Sequence, residues 1–361
     1  PQLLILTTYF KIIIKLKYFF NLSSLSTMED KSSSLISNIN PYEALQLVYD
    51  AQADSLTCNL PVPTIESSGD PNCKDIPLNI EKKTWVRIFR PTTITTPTTT
   101  SVTTATTTTN KLPIIIYFHG GGFILFSAAS GMFHDFCKSM AAQVQALVVS
   151  VEYRLAPEKR LPAAYDDATD AINWVRNQAM DPVNGEPWLR DYADFSKCFL
   201  MGCSAGANIS YHVGLKACEL DLEPIKISGL ILNQPFFGGS KRTESEIRLR
   251  DDQILSNPVI DLMWKLSLPI GVDQDHVYSN PMANNGGGNV KVIKRIFVNG
   301  CDGDPLFDRQ VEFVKMLEDK GLKVEASMEE GGFHGMTFLD PKQTDFFCKK
   351  LKDFIFLSQV V

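Results

Sequence analysis

The chain has 361 residues, of which 44% are apolar and 21% charged, the composition of a globular protein able to bury a sizeable core. Its net charge of −6, with no Lys/Arg-rich stripe, argues against nucleic acid as a partner and favours a small organic molecule. Eight scattered cysteines without a Cys-x-x-Cys pair argue against a zinc site and a disulfide framework, and they favour a reducing compartment such as the cytosol. We expect one large domain over residues 28–361.

Residues 1–27 precede Met28 and are rich in Leu, Ile, Phe and Tyr interrupted by lysines. They lack the unbroken apolar core of a signal peptide and the run of about 18 apolar residues that a membrane span requires. We interpret residues 1–27 as a non-native, disordered leader outside the fold. A weakly membrane-associating segment is the alternative, although no membrane partner is expected for the domain itself.

The segment that follows begins with a predicted short helix over residues 40–48, with Pro41 in its first turn. Residues 84–90 have the apolar pattern of a strand. Residues 91–110 are almost entirely threonine with some proline and serine, a low-complexity composition that has nothing to bury. We expect this threonine-rich stretch to be a disordered surface loop without a function of its own.

Continuous apolar runs at residues 114–118 and 146–151 have the length of strands that are covered on both faces, as in a parallel sheet. Residues 162–178 instead place their apolar side chains at helical spacing. Strands and helices then alternate: strands are predicted at 198–201, 229–232, 292–298 and 322–327, and helices at 205–219, 307–320 and 341–356. This alternation predicts an α/β protein with a mostly parallel sheet.

The pentapeptide Gly202-Cys203-Ser204-Ala205-Gly206 lies between a predicted strand and a predicted helix. A chain of this length matches Gly-x-Ser-x-Gly by chance roughly one time in ten, so the context has to decide. A strand, a tight turn and a helix would expose Ser204 as a nucleophile at a helix N-terminus, where developing negative charge is favoured. Cys203 would then point away from the exposed side, and we interpret it as structural.

A serine nucleophile needs a base to accept its proton. His334 lies in Gly331-Gly332-Phe333-His334-Gly335, a flexible turn after the last predicted strand, which is where such a base is expected. His276 has no strand before it and is expected to be a surface residue. The other three histidines are weaker candidates because they lie at a strand end or in helices: His119, His134 and His212.

An acidic residue should orient the base, and the strand ending near residue 298 leads into a segment with three aspartates. Asp304 is the preferred candidate and Asp302 the alternative, whereas Asp308 is expected on the following helix. The resulting order Ser204, Asp304, His334 is the chain order of α/β-hydrolases.

The string His119-Gly120-Gly121-Gly122-Phe123 follows a buried strand. It arises by chance in roughly one chain in several hundred, and its glycines let backbone N–H groups approach a substrate oxygen. The N–H groups of Gly121, Gly122 and Ala205 are therefore predicted to form an oxyanion hole. His119 is expected to hold the loop in place.

Taken together, these motifs resemble those of plant carboxylesterases in the hormone-sensitive-lipase-like group of α/β-hydrolases. Further segments similar to that family lie at residues 150–158, 161–167, 238–243 and 308–310. The resemblance implies an eight-stranded α/β-hydrolase core with a small cap, built from about residues 40–57 and 240–275. It also implies hydrolysis of short-chain or acetyl esters, often of specialised plant metabolites, without a metal or organic cofactor.

Two alternatives remain open within this family. Gibberellin receptors share the fold but have lost the base histidine, so the presence of His334 favours an enzyme over a receptor. Other relatives are dehydratases or cyclases, which would use the acid and base without acyl transfer.

The aromatic and aliphatic side chains of Phe123, Ile124 and Phe236 are candidates to line a substrate pocket, and they are equally compatible with plain core. The oligomeric state stays open between a monomer and a homodimer.

Overall fold

The structure is a computed structural model that describes residues 40–93, 111–283 and 295–356. The predicted leader at 1–27 and most of the threonine-rich stretch, residues 94–110, lie outside the described residues. Two short strands, β1 and β2, form an antiparallel hairpin, and eight longer strands form the central sheet. The strands are β1 Leu47–Asp50, β2 Ser55–Cys58, β3 Cys73–Asn79, β4 Thr84–Phe89, β5 Leu112–Phe118, β6 Leu147–Glu152, β7 Ala193–Cys203, β8 Ile227–Asn233, β9 Ile296–Cys301 and β10 Val324–Glu329.

The described helices lie mainly between the strands, as the alternating pattern predicts. They are α1 Pro41–Ala44, α2 Gly131–Val144, α3 Ala163–Met180, α4 Pro187–Tyr192, α5 Ala205–Ala217, α6 Glu244–Arg248, α7 Asn257–Ser267, α8 Phe307–Asp319, α9 Met336–Leu339 and α10 Pro341–Phe356. In the described part of the chain, no helix is both long enough and apolar enough to cross a bilayer.

The central sheet has the strand order β10-β9-β8-β7-β5-β6-β4-β3. In this spatial order, each neighbouring pair from β10 through to β6 is parallel. Strand β4 pairs antiparallel with both of its neighbours, β6 and β3. The predicted mostly parallel, eight-stranded α/β sheet is therefore confirmed. Parallel neighbours bring the carboxyl ends of β5, β7, β8 and β9 to one edge, where ligands bind in open α/β sheets.

Strand β5 shows why the apolar runs form the interior of this sheet. All seven of its residues are buried, and successive side chains point to opposite faces. Ile115 and Tyr117 belong to the core cluster that contains residues of α2 and α10, while Ile114 and Ile116 belong to the cluster that contains residues of α3 and α5. Helices therefore cover both faces, and the sheet is held by apolar burial on each side.

The predicted helix over residues 40–48 is wrong in its second half. The helix α1 ends at Ala44, and Gln46 has a positive φ of 51°, which reverses the chain. Residues 47–50 then pair with Ser55–Cys58 as the hairpin. The local helical pattern is overridden by strand pairing and by burial of Leu47, neither of which is visible in a nine-residue window.

Arg160 connects the β1–β2 hairpin with the end of α7. Its guanidinium donates to both carboxylate oxygens of Asp54 at 3.0 and 3.1 Å. It also donates to the carbonyl oxygens of Lys265 at 2.9 Å and Leu268 at 3.1 Å. The same side chain therefore ties the β1–β2 hairpin region to the end of α7. The division into a cap at about 40–57 and 240–275 stays a prediction.

Candidate active site

Ser204 lies between the end of β7 and the start of α5, with φ 54° and ψ −120°. This positive φ is sterically unfavourable for a residue with a side chain, and such strain concentrates at functional turns. The flanking glycines are required by contact: a Cβ at Gly202 would lie 2.6 Å from the nitrogen of Ala207, and one at Gly206 would lie 2.5 Å from the carbonyl carbon of Phe118. The sequence motif thus corresponds to a turn that is too tight for larger residues.

The turn brings Ser204 next to His334, although they are 130 residues apart. His334 follows β10 in a loop whose glycines at 331, 332 and 335 all have positive φ. Its Nε2 lies 2.9 Å from Oγ of Ser204, and its Nδ1 lies 2.8 Å from Oδ2 of Asp304. A carboxylate accepts from Nδ1–H, so the neutral ring presents an unprotonated Nε2 to the serine hydroxyl. The three side chains form one continuous hydrogen-bonded path.

The carboxylate of Asp304 is fully buried and accepts four hydrogen bonds. Its Oδ1 accepts from the backbone N–H of Leu306 at 2.9 Å. Its Oδ2 accepts from His334, from Gln310 Nε2 at 3.0 Å and from Gln234 Nε2 at 3.1 Å. These four donors offset the cost of burying the carboxylate away from water.

Burial and charge act in opposite directions on His334. Burial by itself lowers the pKa of the imidazole, but the nearby Asp304 carboxylate and its hydrogen bond outweigh that effect. The more distant charge of Asp252 acts in the same direction, and the net pKa of His334 is raised above 6.5. A base with a raised pKa accepts a proton more readily, provided that the pH is high enough to keep it neutral beforehand.

The other candidate acids lie elsewhere. The Oδ1 of Asp302 accepts from the backbone N–H of Gly331 at 2.6 Å, so this side chain braces the start of the histidine loop. The Oδ2 of Asp308 accepts from the N–H of Ser245 at 2.7 Å, and Asp308 lies on α8 as expected. The structure therefore brings Asp304, and neither alternative, to the base.

The remaining histidines lie outside this hydrogen-bonded path. His134 lies on α2 and contacts the Arg87 guanidinium at 3.1 Å, whereas His212 lies on α5 and is partly buried. Burial lowers the pKa of His134 to about 4 and that of His212 to about 3, so both rings are neutral at physiological pH. The ring of His276 accepts from the N–H of Tyr278 at 3.2 Å in a partly exposed turn.

The glycine string follows β5 and lies directly against the serine turn. A Cβ at Gly120 would lie 3.3 Å from Cβ of Ser204. Gly121 and Gly122 have φ values of 117° and 59°, which only glycine adopts readily. Among the hydrogen bonds of the described residues, none engages the N–H groups of Gly121, Gly122 or Ala205. These three donors are therefore available to an oxygen beside Ser204.

His119 holds the start of this loop. Its Nδ1 donates to the carbonyl oxygen of Gly120 at 2.7 Å, and its ring stacks on Tyr153 with centroids 4.3 Å apart. The Tyr153 hydroxyl donates to the His119 carbonyl oxygen at 2.8 Å. Burial lowers the pKa of His119 to about 4, so a neutral ring fixes the loop without adding charge.

Cys203 lies behind the nucleophile, in contact with the core. Its Sγ is 2.9 Å from the hydroxyl of Tyr117, and burial raises the pKa of the thiol to about 12. A thiol that stays protonated is a poor nucleophile. The position and protonation of Cys203 both fit the structural interpretation.

Helix α7 covers the glycine loop. A Cβ at Gly122 would lie 2.6 Å from Cγ of Met263, and Trp264 stacks on Phe236 with centroids 4.5 Å apart. Phe123 packs on both of these rings, and the exposed fractions of Phe123, Ile124 and Phe236 are 1%, 4% and 0%. Ser204 and His334 themselves expose 7% and 6%. The pocket role of Phe123, Ile124 and Phe236 stays a prediction.

A cleft of about 450 Å³ lies beside α7 and the segment that follows it. Its lining includes Arg160, Trp264, Lys265 and residues 268–274. None of Ser204, Asp304 and His334 lines it. This cleft is therefore separate from the proposed catalytic residues, whatever its size.

Across the described ranges, no group of three or more His, Cys, Asp and Glu side chains is arranged to hold a metal ion.

Sequence reasoning missed Gln234 and Gln310, the two amides that hold Asp304. Gln234 directly follows β8, at the same sheet edge as Asp304, and a polar residue at the end of a buried strand is the signal that could have identified it. Gln310 lies within one turn of the start of α8. An isolated glutamine carries no motif, so its role becomes visible only when the strands are assembled.

Comparison with known proteins adds independent information about this arrangement. Residues 115–338 match the model of a family described by its alpha/beta hydrolase fold. Two 3-O-acetylpapaveroxine carboxylesterases of Papaver somniferum are 53% and 54% identical, over 89% and 88% of this chain and 99% of each relative. A solved esterase of Pyrobaculum calidifontis superposes with a TM-score of 0.64 at 24% identity, over 81% of this chain and 86% of that one.

Proposed function

Because this chain belongs to the plant carboxylesterases, carboxylic ester hydrolases with the α/β-hydrolase fold, we propose that it cleaves short-chain esters of a small plant metabolite through a serine acyl-enzyme. The observation that carries this proposal is the unbroken path from Ser204 Oγ to His334 Nε2 at 2.9 Å, and from His334 Nδ1 to Asp304 at 2.8 Å. A serine hydroxyl is a weak nucleophile on its own, and this path supplies the base that activates it.

In the first half of the reaction, Ser204 Oγ attacks the ester carbonyl carbon while His334 Nε2 takes the hydroxyl proton. The carbonyl π electrons move to its oxygen, giving a tetrahedral oxyanion and an imidazolium that the Asp304 carboxylate stabilises. When the carbon–oxygen bond to the alcohol breaks, His334 returns the proton to the leaving oxygen. The products of this half are the free alcohol and an acyl group on Ser204.

The oxyanion is held by the backbone N–H groups of Gly121, Gly122 and Ala205 in this proposal. Their freedom from other hydrogen bonds among the described residues supports it, as does the close approach of the glycine loop to Ser204. Ala205 also opens helix α5, whose N-terminal dipole favours negative charge at that position. Removal of one such donor typically costs about 3 kcal/mol of transition-state stabilisation.

In the second half, water replaces the alcohol. His334 takes a proton from water as its oxygen attacks the acyl carbon, and a second oxyanion forms in the same hole. Collapse of this intermediate breaks the bond to Ser204 Oγ, which regains its proton from His334. The carboxylic acid leaves and the resting state is restored, so one ester and one water give one acid and one alcohol.

We propose that the acyl group is small, with acetyl as the preferred case. The side chain of Met263 lies over Gly122 and Phe123 is buried beside it, so little room adjoins the proposed hole. The two Papaver somniferum relatives are named for an acetylated substrate, which fits this size limit. Phe123, Ile124 and Phe236 would line the pocket that receives this acyl group. A cytosolic location is proposed with it, because the eight cysteines are free thiols.

The test is intact-mass spectrometry after brief exposure to an activated acetyl ester, with hydrolysis followed in parallel. We expect one acetyl mass on Ser204 in the wild type and none in Ser204→Ala. The variant His334→Ala should keep the fold but lose turnover by about 10⁴-fold or more, since no base activates the serine.

Each alternative has its own outcome in this experiment. Hydrolysis at near wild-type rate in Ser204→Ala would refute the serine mechanism. A folded wild type with neither adduct nor turnover on any activated ester would favour a receptor, and conversion of substrate without acyl mass on Ser204 would favour elimination chemistry.

A further inference from the structure

The last residue of β8, Asn233, and the residue after it, Gln234, contact Ser204, Asp304 and the backbone on both sides of His334. The carbonyl oxygen of Asn233 accepts from the N–H of Ser204 at 2.9 Å. The side chain of Gln234 then reaches the loops that carry Asp304 and His334. One end of one strand therefore meets all three elements, although they come from distant parts of the chain.

The amide of Gln234 uses both of its ends. Its Nε2 donates to Asp304 Oδ2 at 3.1 Å and to the carbonyl oxygen of Phe333 at 3.0 Å. Its Oε1 accepts from the N–H of Gly335 at 2.8 Å. Phe333 and Gly335 are the two neighbours of His334, so the amide grips the backbone on both sides of the base while it holds the acid.

The backbone of Gln234 is arranged for this grip. Its φ is 45°, in the left-handed region that residues with side chains avoid, and its N–H donates to the carbonyl oxygen of Asn299 at 2.7 Å. Its side chain is 1% exposed. A strained backbone that places a buried polar side chain on functional groups is the pattern expected where geometry matters.

The histidine loop needs an external tie. Gly331, Gly332 and Gly335 surround His334 and all have positive φ, a sequence that leaves the loop with little conformational preference of its own. Thr337, two residues further on, accepts from Asn233 Nδ2 at 2.6 Å. The dipeptide 233–234 is thus the fixed surface against which a pliable loop is held.

Gln310 provides the comparison. Its Nε2 donates to the same oxygen of Asp304 at 3.0 Å, so it supports the acid as Gln234 does. Its Oε1, however, is buried without a hydrogen-bond partner among the described residues. Gln310 therefore holds the acid alone, whereas Gln234 holds the acid and the base together.

We propose that Gln234 is a positioning residue for catalysis, which keeps Asp304 and His334 in register with Ser204 through its bifunctional amide. The proposal rests on the serine mechanism above. Loss of the amide should let the imidazole swing away from Oγ without changing the groups that bind the ester. The effect should therefore fall on kcat, with little change in KM.

The experiment compares Gln234→Met with Gln310→Met, because methionine keeps the length of glutamine and removes its hydrogen bonds. We expect kcat for an activated acetyl ester to fall about 100-fold in Gln234→Met and at most about 10-fold in Gln310→Met. KM should stay within about twofold in both variants. Unfolding curves for both variants report whether the compared samples are folded.

A third variant tests the charge at this position and serves if Gln234→Met does not fold. Gln234→Glu keeps the acceptor for Gly335 N–H but puts a second carboxyl beside Asp304. Negative charge there favours protonated His334, so the acid limb of the kcat/KM profile should move up by about one pH unit. A side chain at position 234 that faced away from Asp304 and His334 would leave that limb in place.

Equal kcat losses in the two methionine variants, or an unmoved acid limb in Gln234→Glu, would overturn the positioning role. Ser204→Ala, run beside them, separates the two levels of the argument. If Ser204→Ala is inactive while the Gln234 variants behave like wild type, the positioning role fails and the serine mechanism stands. If Ser204→Ala remains active, the mechanism itself fails.

Discussion

The contact between Gly122 and Met263 makes a quantitative prediction about how α7 lies on the glycine loop. In Gly122→Ala, the added methyl would lie 2.6 Å from Cγ and 3.0 Å from Cε of Met263, with Sδ closer still. Ordinary carbon contacts are about 3.5–4.0 Å, so the methionine side chain must retreat by an ångström or so. Met263 is 5% exposed and sits in the main core cluster, so this retreat is not free.

Two costs combine in this variant. Alanine at a φ of 59° costs about 1–2 kcal/mol from left-handed strain, and overpacking against Met263 adds about 1–3 kcal/mol. We therefore expect Gly122→Ala to lose about 2–5 kcal/mol of unfolding free energy. The single variant Met263→Ala should lose about 2–5 kcal/mol through the cavity it leaves. In the double variant the new methyl occupies part of that cavity, so about 1–3 kcal/mol should be recovered relative to the sum.

The assay is equilibrium unfolding in urea of wild type, both single variants and the double variant. Unfolding free energies are compared between proteins whose dependence on urea concentration has the same slope. Gly121→Ala is the matched control, because its methyl would meet backbone, 3.0 Å from the carbonyl carbon of Leu125. Met263→Ala should not relieve that clash, so the corresponding pair should be additive. A coupling below about 0.5 kcal/mol between Gly122→Ala and Met263→Ala would refute the packing of α7 on the loop.

Four further variants test separate parts of the site. Asp304→Asn should move the acid limb of the kcat/KM profile to lower pH, because burial lowers the pKa of His334 and the carboxylate that raises it is lost. The same variant should lower kcat about 10³-fold, since it loses a charge pair worth ~4 kcal/mol. Asp252→Asn should move that limb in the same direction by less, with kcat within about twofold of wild type. Cys203→Ala should keep kcat within about tenfold and still take acyl mass, since its thiol pKa of about 12 leaves it protonated. Gly206→Ala should lose more than about 4 kcal/mol or fail to give a cooperative melting transition, because its methyl would meet strand backbone.

The amino-acid sequence predicts the parts of this protein that depend on local pattern. The buried strands are recognisable because residues covered on both faces form continuous apolar runs, as in β5 and β6. The serine turn is recognisable because its glycines are demanded by backbone contacts that nothing larger can satisfy. His334 follows from its place after the last strand and before the last helices.

The remaining features depend on residues that are distant in the chain. The sequence prefers Asp304 to Asp302, and the physical difference between them becomes visible only when the structure turns Asp302 toward Gly331 and Asp304 toward His334. Gln234 has no motif, and its importance arises from the meeting of β8, β9 and the histidine loop. The β1–β2 hairpin replaces part of a predicted helix for the same reason, since pairing partners outside a short window decide the outcome.

The near-complete burial of Ser204 and His334 restricts the exchange of alcohol and water at the reacting atoms. Ser204 and His334 expose only 7% and 6%, so little of either side chain is open to bulk solvent. While the alcohol lingers, it is the nucleophile nearest the acyl carbon, and its return simply regenerates the ester. In the proposed acyl-enzyme mechanism, net hydrolysis then depends on how fast the alcohol escapes relative to how fast it returns. For esters of bulky alcohols, release of the alcohol should therefore limit turnover, even where the acyl group is an ordinary acetyl.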